Sequence, residues 1–264
     1  MRDLSILHLI LASGLVALLA GLHWRSAPRL AQGLGVGLVR CAIQLSLVGL
    51  LLEALFSHVH LAWVAAMALV MALTAGREMS ARQTHRFRAR ASFWIGASSI
   101  MVSSYLLVLL ALLVAVRPEP WYHPQYAIPL LGMLLGNTMN GIALAMDRLT
   151  DGAITERRQI EAQLLCGRSA TAAIATLRSK AVSSALTPAI NGMAAAGLVS
   201  LPGMMTGQIL AGSAPMPAVR YQIFILMLIT AGTGFGTYLA VQMAARRLFD
   251  GRMRLRVDRL AALE

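Results

Sequence analysis

The chain is predicted to be an all-α polytopic membrane helical bundle of about seven transmembrane helices, with its N-terminus outside and its C-terminus in the cytoplasm. Three observations carry that prediction. Of 264 residues, 58% are hydrophobic and only 13% are charged. Soluble domains run at roughly 45–50% and about 25%, so much of this surface must face lipid. Seven apolar stretches approach the ~20 residues that a helix needs to cross a hydrocarbon core of ~30 Å. Finally, Lys and Arg concentrate in alternate connections, the distribution that sets orientation.

The stretches run over residues 5 to 22, 38 to 56, 60 to 76, 91 to 116, 126 to 146, 186 to 211 and 221 to 244. The first outlasts the apolar core of a signal peptide, lacks an A-x-A cleavage site and is followed, not preceded, by Arg25 and Arg29, which favours a retained helix. The second follows the polar start Arg40 to Gln44 and carries Glu53, about 20 Å further along the helix. The third and fourth bracket a connection bearing Arg77, Arg82, Arg86, Arg88 and Arg90. The fifth holds Pro129, the close-packing pair Gly132 and Gly136, and the amides Asn137 and Asn140. The sixth carries Pro188, Asn191, Gly192, Gly197, Ser200, Pro202, Gly203, Thr206 and Gly207. So many helix breakers predict a discontinuous helix, which is tolerated at membrane depth only where it is buried or lines a path. The seventh leads into a basic cytoplasmic tail, 246–264, and the whole of 1–264 reads as a single transmembrane domain.

The formal net charge is +12, which alone would admit a nucleic-acid partner. Sorting the charge by connection removes that reading, because 20 of the 23 Lys and Arg residues mark one side. Only Arg2, Arg117 and Arg220 fall on the other. Cys41 and Cys166 are both placed toward the cytoplasm, away from any disulfide-forming compartment, and make no metal motif.

The cytoplasmic stretch at about 150–182 is patterned. Thr155 is a candidate N-cap with Glu156 in the first turn. Ile160, Leu164 and Leu165 fall on one helical face, and Arg157, Arg158 and Glu161 elsewhere. Gly167 interrupts, and Ser169 or Thr171 starts a second helix carrying Ile174 and Leu177. Helix, glycine break and helix beneath a bundle make a docking element; an interfacial helix on lipid headgroups is the alternative.

Polar groups at membrane depth mark a candidate translocation path: Asn137, Asn140, Asn191, Ser200 and Pro202, with the thioethers of Met204 and Met205. Interhelical glue and packing are the competing roles. Glu53 with His58 and His60 offers a carboxylate–imidazole set for a cation, in a spacing that matches no established metal motif. Glu53 could instead reach the headgroups, and His123 lies in an outer loop. No phosphate loop, nucleophile elbow or zinc-protease helix occurs. No residue is therefore assigned a catalytic role, and no cofactor is expected on this chain. Uphill movement of a solute needs an ion gradient or a separate ATPase that uses ATP and Mg.

Three strings then resemble a known family. Pro129-Leu-Leu-Gly-Met-Leu-Leu-Gly136-Asn137-Thr-Met-Asn140, Ile160-Glu-Ala-Gln-Leu-Leu-Cys-Gly167 and Gly197-Leu-Val-Ser-Leu-Pro-Gly-Met-Met-Thr-Gly-Gln-Ile-Leu-Ala-Gly212 are similar to the FetB-type iron-export permeases of ABC transporters. The likeness runs through Ala218-Val-Arg-Tyr-Gln-Ile223 and covers roughly residues 35 to 245. It implies a bacterial inner-membrane permease, paired with an ABC ATP-binding subunit as two permeases and two ATPases. It also gives the 150–182 element a role. Glu161-Ala162-Gln-Leu-Leu-Cys-Gly167, with Arg158 beside it, resembles the E-A-A-x-x-x-G coupling loop, although Gln163 replaces the second Ala and the distal I-x-L-P portion is missing. Iron export attaches to the bacterial members; plant relatives are associated with aluminium tolerance and nucleotide sugars. A secondary transporter would work without an ATPase, and a scaffold would tolerate apolar replacement of Asn137, Asn140 and Asn191.

Overall fold

The computed structural model describes residues 6–57, 59–88 and 90–262 and divides into two compact units, Met1–His60 and Leu61–Glu264. The first unit is a helical hairpin, α1 (Ile6–His23) against α2 (Pro28–Ser57). The turn between them places Pro28 at the first position of α2, where its missing N–H costs nothing. Ala31 and Leu55 are the buried residues of α2; most of its other leucines and valines are exposed, as a helix facing lipid requires.

The second unit is a bundle around α5 (Pro124–Thr155), which packs against α3 (Leu61–Ala81), α4 (Ala91–Leu110), α8 (Ala175–Ala195) and α10 (Pro215–Arg247). At 1.5 Å per residue, the 32 residues of α5 and 33 of α10 reach about 48 and 50 Å. Both exceed a ~30 Å hydrocarbon core, so each carries turns beyond it. α4 continues as a π-helical turn over Ala111–Val116 and stops at Arg117 in a left-handed conformation.

Among the described residues, five helices are long and apolar enough to cross a membrane: α2, α3, α4 with its π turn, α5 and α10. The protein is thus a polytopic helical membrane protein. α1 is apolar but shorter. The sixth apolar stretch is split: α8 ends at Ala195, residues 196–202 form an irregular loop, and α9 covers Gly203–Leu210. Gly197 at φ +84 turns the loop and donates its N–H to the Ser200 carbonyl, so the predicted break falls where the glycines and Pro202 stand. α9 then ends on Gly212 at φ +98, whose N–H bonds Ile209 O while Ser213 N–H bonds Gln208 O, a Schellman closure.

Thr155 does not cap a helix. α5 runs through it, its hydroxyl bonds back to Asp151 O at 3.1 Å, and Glu156 forms the junction to α6 (Arg157–Leu165). Because Ile160 N–H still reaches Glu156 O at 3.0 Å, α6 follows α5 with one residue of bend. Ser169 is the cap that the sequence allowed: its side chain accepts from Ala172 N–H at the start of the short α7 (Ala170–Ala173).

An all-α expectation misses one feature. β1 (His85–Phe87), between α3 and α4, pairs antiparallel with β2 (Leu260–Ala262) in the tail. Both sequences alternate: His85-Arg-Phe-Arg and, just before β2, Arg252-Met-Arg-Leu-Arg-Val. Apolar and basic residues with period two are a strand signal. Phe87 is 2% exposed and Leu260 6%, while the arginines project outward.

Candidate functional site

The basic segments of the second unit converge at one end of its bundle. The α3–α4 connection is bound to α5 at three places. Arg82 donates to the Asn140 carboxamide oxygen at 2.6 Å, Thr84 N–H donates to Asp147 at 2.7 Å, and the Thr150 hydroxyl donates to His85 O at 2.9 Å. The tail joins the same connection through β2, and Arg259 donates to the carbonyl of Arg247 at the end of α10. A cation on those orphan carbonyls is the favourable charge for a helix C-terminus.

α6 is anchored by Ile160, buried at 2% exposure, and closes at Gly167. There φ is +83, Gly167 N–H bonds Leu164 O and Arg168 N–H bonds Gln163 O. These are the paired bonds of a Schellman motif, and the left-handed residue it needs is why glycine stands here. Glu161, half-buried, accepts from Arg157 Nε at 2.8 Å, one turn back. Arg158 and Ala162 are exposed. α8 is tied to the α5–α6 junction by Lys180 with Glu156 at 3.4 Å. It is also tied by Leu177, whose methyl occupies the space where a Cβ on Gly152 would lie.

Inside the bundle, α4, α5 and α10 meet along a seam of small and hydroxyl residues. A Cβ on Gly236 would lie 2.7 Å from Thr138 Cγ2 and 2.8 Å from Ser103 Oγ, so side chains of α5 and α4 pack directly onto the bare backbone of α10 there. Ser104, Thr138 and Thr237 are fully buried and Thr233 nearly so, yet their hydroxyls make no hydrogen bond among the described residues. Each such group costs about 1–3 kcal/mol, and the cost is relieved wherever the seam admits water or a polar solute. The signal was present in Thr230-Ala-Gly-Thr-Gly-Phe-Gly-Thr237 and Ser103-Ser104, small residues at helical spacing.

The residues predicted to line the path lie elsewhere on the second unit. Asn137 is exposed and donates to its own helix, at Met133 O, 2.8 Å away. Asn140 is exposed and held by Arg82. Asn191 and Ser200 are exposed, Pro202 and Met204 half-buried, and Met205 buried at 8%. Glu53 and His60 are exposed on the first unit; His58 lies outside the described residues. Among the described residues no three His, Cys, Asp or Glu side chains gather as a metal cluster.

Residues 6–249 match the Uncharacterised protein family UPF0014. The chain belongs to that family. A UPF0014 membrane protein of Synechocystis is 38% identical over 246 residues, covering 91% of this chain and 92% of that protein. The probable iron export permease protein FetB of Escherichia coli is 30% identical over 221 residues, covering 84% of this chain and 83% of its own. Aluminum Sensitive 3 of Arabidopsis thaliana is 30% identical over 195 residues, 74% of this chain and 69% of that one. No solved structure matches. The UPF0014 match embraces the hydroxyl seam and α6, and it stops at Phe249, where the tail begins.

Proposed function

We propose that this chain is the permease subunit of an ATP-binding cassette transporter that exports iron or another metal ion, driven by a separate ATPase subunit. In this reading it crosses a bacterial inner membrane seven times, N-terminus outside and C-terminus in the cytoplasm, and assembles as two permeases with two ATPases. The relative named as an iron export permease supports the substrate class. The single observation that carries the transport role is α6, an arginine-edged helix closed at Gly167 and set at the basic end of the bundle.

The mechanism follows from what α6 is joined to. ATP binding closes the ATPases and moves α6. Glu156 passes the motion into α5, and Lys180 with the Leu177–Gly152 contact passes it into α8. α5 supplies Thr138 to the seam and α10 supplies Thr233 and Thr237, so a shift of α5 parts a junction whose hydroxyls are already short of partners. Alternating access is then the exchange of a dry seam for a wet one, with no chemistry on the chain.

Gly167→Pro tests the assignment. Proline cannot adopt φ +83, and it removes the N–H that bonds Leu164 O. The variant should reach the membrane in normal amount and fail to stimulate the cassette ATPase, as should Glu161→Arg combined with Arg158→Glu. If co-purification and stimulated turnover both survive, the docking assignment is wrong.

A further inference from the structure

The tail is a folded strap. After α10, Phe249 and Leu255 pair across a hairpin whose turn is organised by Asp250. Its carboxylate accepts from the backbone N–H of Arg252 and of Arg254, both at 2.9 Å, and from Arg254 Nε at 2.9 Å. Arg256 N–H returns to Leu248 O, Arg256 pairs with Asp258, and β2 closes on β1. From Asp250 onward the strap lies beyond the residues that match the family, whereas β1, on which it closes, lies within them.

Between the hairpin and α6 lies a groove of about 1060 Å³. Its lining contains five arginines, 157, 168, 252, 254 and 256, and one acid, Glu161. Glu161 is taken by Arg157, and Arg254 and Arg256 face Asp250 and Asp258. Arg168 bonds only an amide, Gln163, and the Arg252 guanidinium meets no acid among the described residues. Two apolar side chains stand up in this basic frame: Leu165, 90% exposed, and Met253, 57% exposed at the hairpin tip with φ +57. The latter is a left-handed conformation uncommon outside glycine. A recessed, basic groove with apolar posts on both walls fits a protruding segment that carries acids at its edges and apolar surface between them. A flat bilayer surface does not enter such a groove.

We infer that the C-terminal strap forms the second wall of the ATPase-docking site, and that the groove between α6 and the strap receives an acid-edged, apolar-centred segment of the ATP-binding subunit. This rests on the permease reading above. It adds a second route for the ATPase stroke: through β2 to the α3–α4 connection and through Arg259 to the end of α10, alongside the route through α6.

The test uses the full chain in nanodiscs with the cassette ATPase that co-purifies with it. Arg168→Glu with Arg252→Glu should weaken ATPase binding at least tenfold, and Leu165→Asp should do the same without touching a buried group. Arg252→Lys should stay within threefold, as should Arg148→Glu, an exposed basic residue outside the groove. Equal binding by the wild type and the groove variants overturns the inference while leaving the permease reading intact. If the wild-type chain retains no cassette ATPase, the permease reading itself falls. Phosphatidylcholine nanodiscs with and without phosphatidylglycerol complete the experiment: a loss in the variants that requires the anionic lipid assigns the groove to headgroups and overturns the inference.

Discussion

Gly236 is where one methyl group would do most damage. Its missing side chain lets the Thr138 and Ser103 side chains approach from two other helices, and an added methyl would force both to shift. Gly236→Ala should cost about 1–3 kcal/mol by overpacking, read as a lower melting temperature in detergent. Thr138→Val and Thr237→Val should act in the opposite direction. Each replaces a buried hydroxyl that has no hydrogen-bond partner among the described residues, so the resting protein should gain up to about 1–3 kcal/mol. If the seam opens to water, transport turnover should fall at the same time. A stabilised variant with unchanged turnover would remove the seam from the mechanism. On the strap, Asp258 is held at about 2 by the hydrogen bond from Arg256, and Asp250 is lowered by the N–H of Arg254 first of all. A depressed carboxylate stabilises the fold above its unfolded value of 3.8 and loses that contribution as pH falls toward 2. Protease protection of the strap should therefore be flat from about pH 5 to 8 and decline only below about pH 4.

Elements divide by how local their causes are. The α6 stop at Gly167 and the break in the sixth apolar stretch were legible, because Schellman closure and proline–glycine punctuation act within a few residues. Thr155 misled for the same reason: its capping chemistry is local, but α5 continues through it under the packing of Gly152 and Ala153, both buried. The strap is not legible from charge alone, because its arginines also satisfy the topological signal of a cytoplasmic tail. The same residues also alternate with Met253, Leu255 and Val257, a period that a charge count cannot see. Phe87 holds the paired strands to the bundle, with its N–H donating to Ser92 Oγ at 2.8 Å. Phe87→Ala should cost about 3–5 kcal/mol. The loss should show first as proteolytic release of the tail, before the bundle melts.

For the whole molecule, composition and charge sorting sufficed to give a helical membrane protein, because lipid permits few ways to satisfy a backbone. They did not give the polar interior. Asn137 and Asn140 are the strongest polar groups in the fifth stretch; one bonds its own helix and the other clamps Arg82. Apart from Gln83 and Gln222, the buried polar side chains among the described residues are weaker hydroxyls, most of them placed by the faces that α4, α5 and α10 present to each other. A one-dimensional reading ranks residues by polarity; three-dimensional packing decides which of them meet. The central claim is that this bundle moves a metal ion only when a separate ATPase drives it. Sealed vesicles containing the chain, with and without the cassette ATPase, and supplied with labelled iron and ATP, measure that directly. Iron should move only when both the ATPase and ATP are present, and Gly167→Pro should abolish that movement; movement without the ATPase would contradict an ATPase-driven permease.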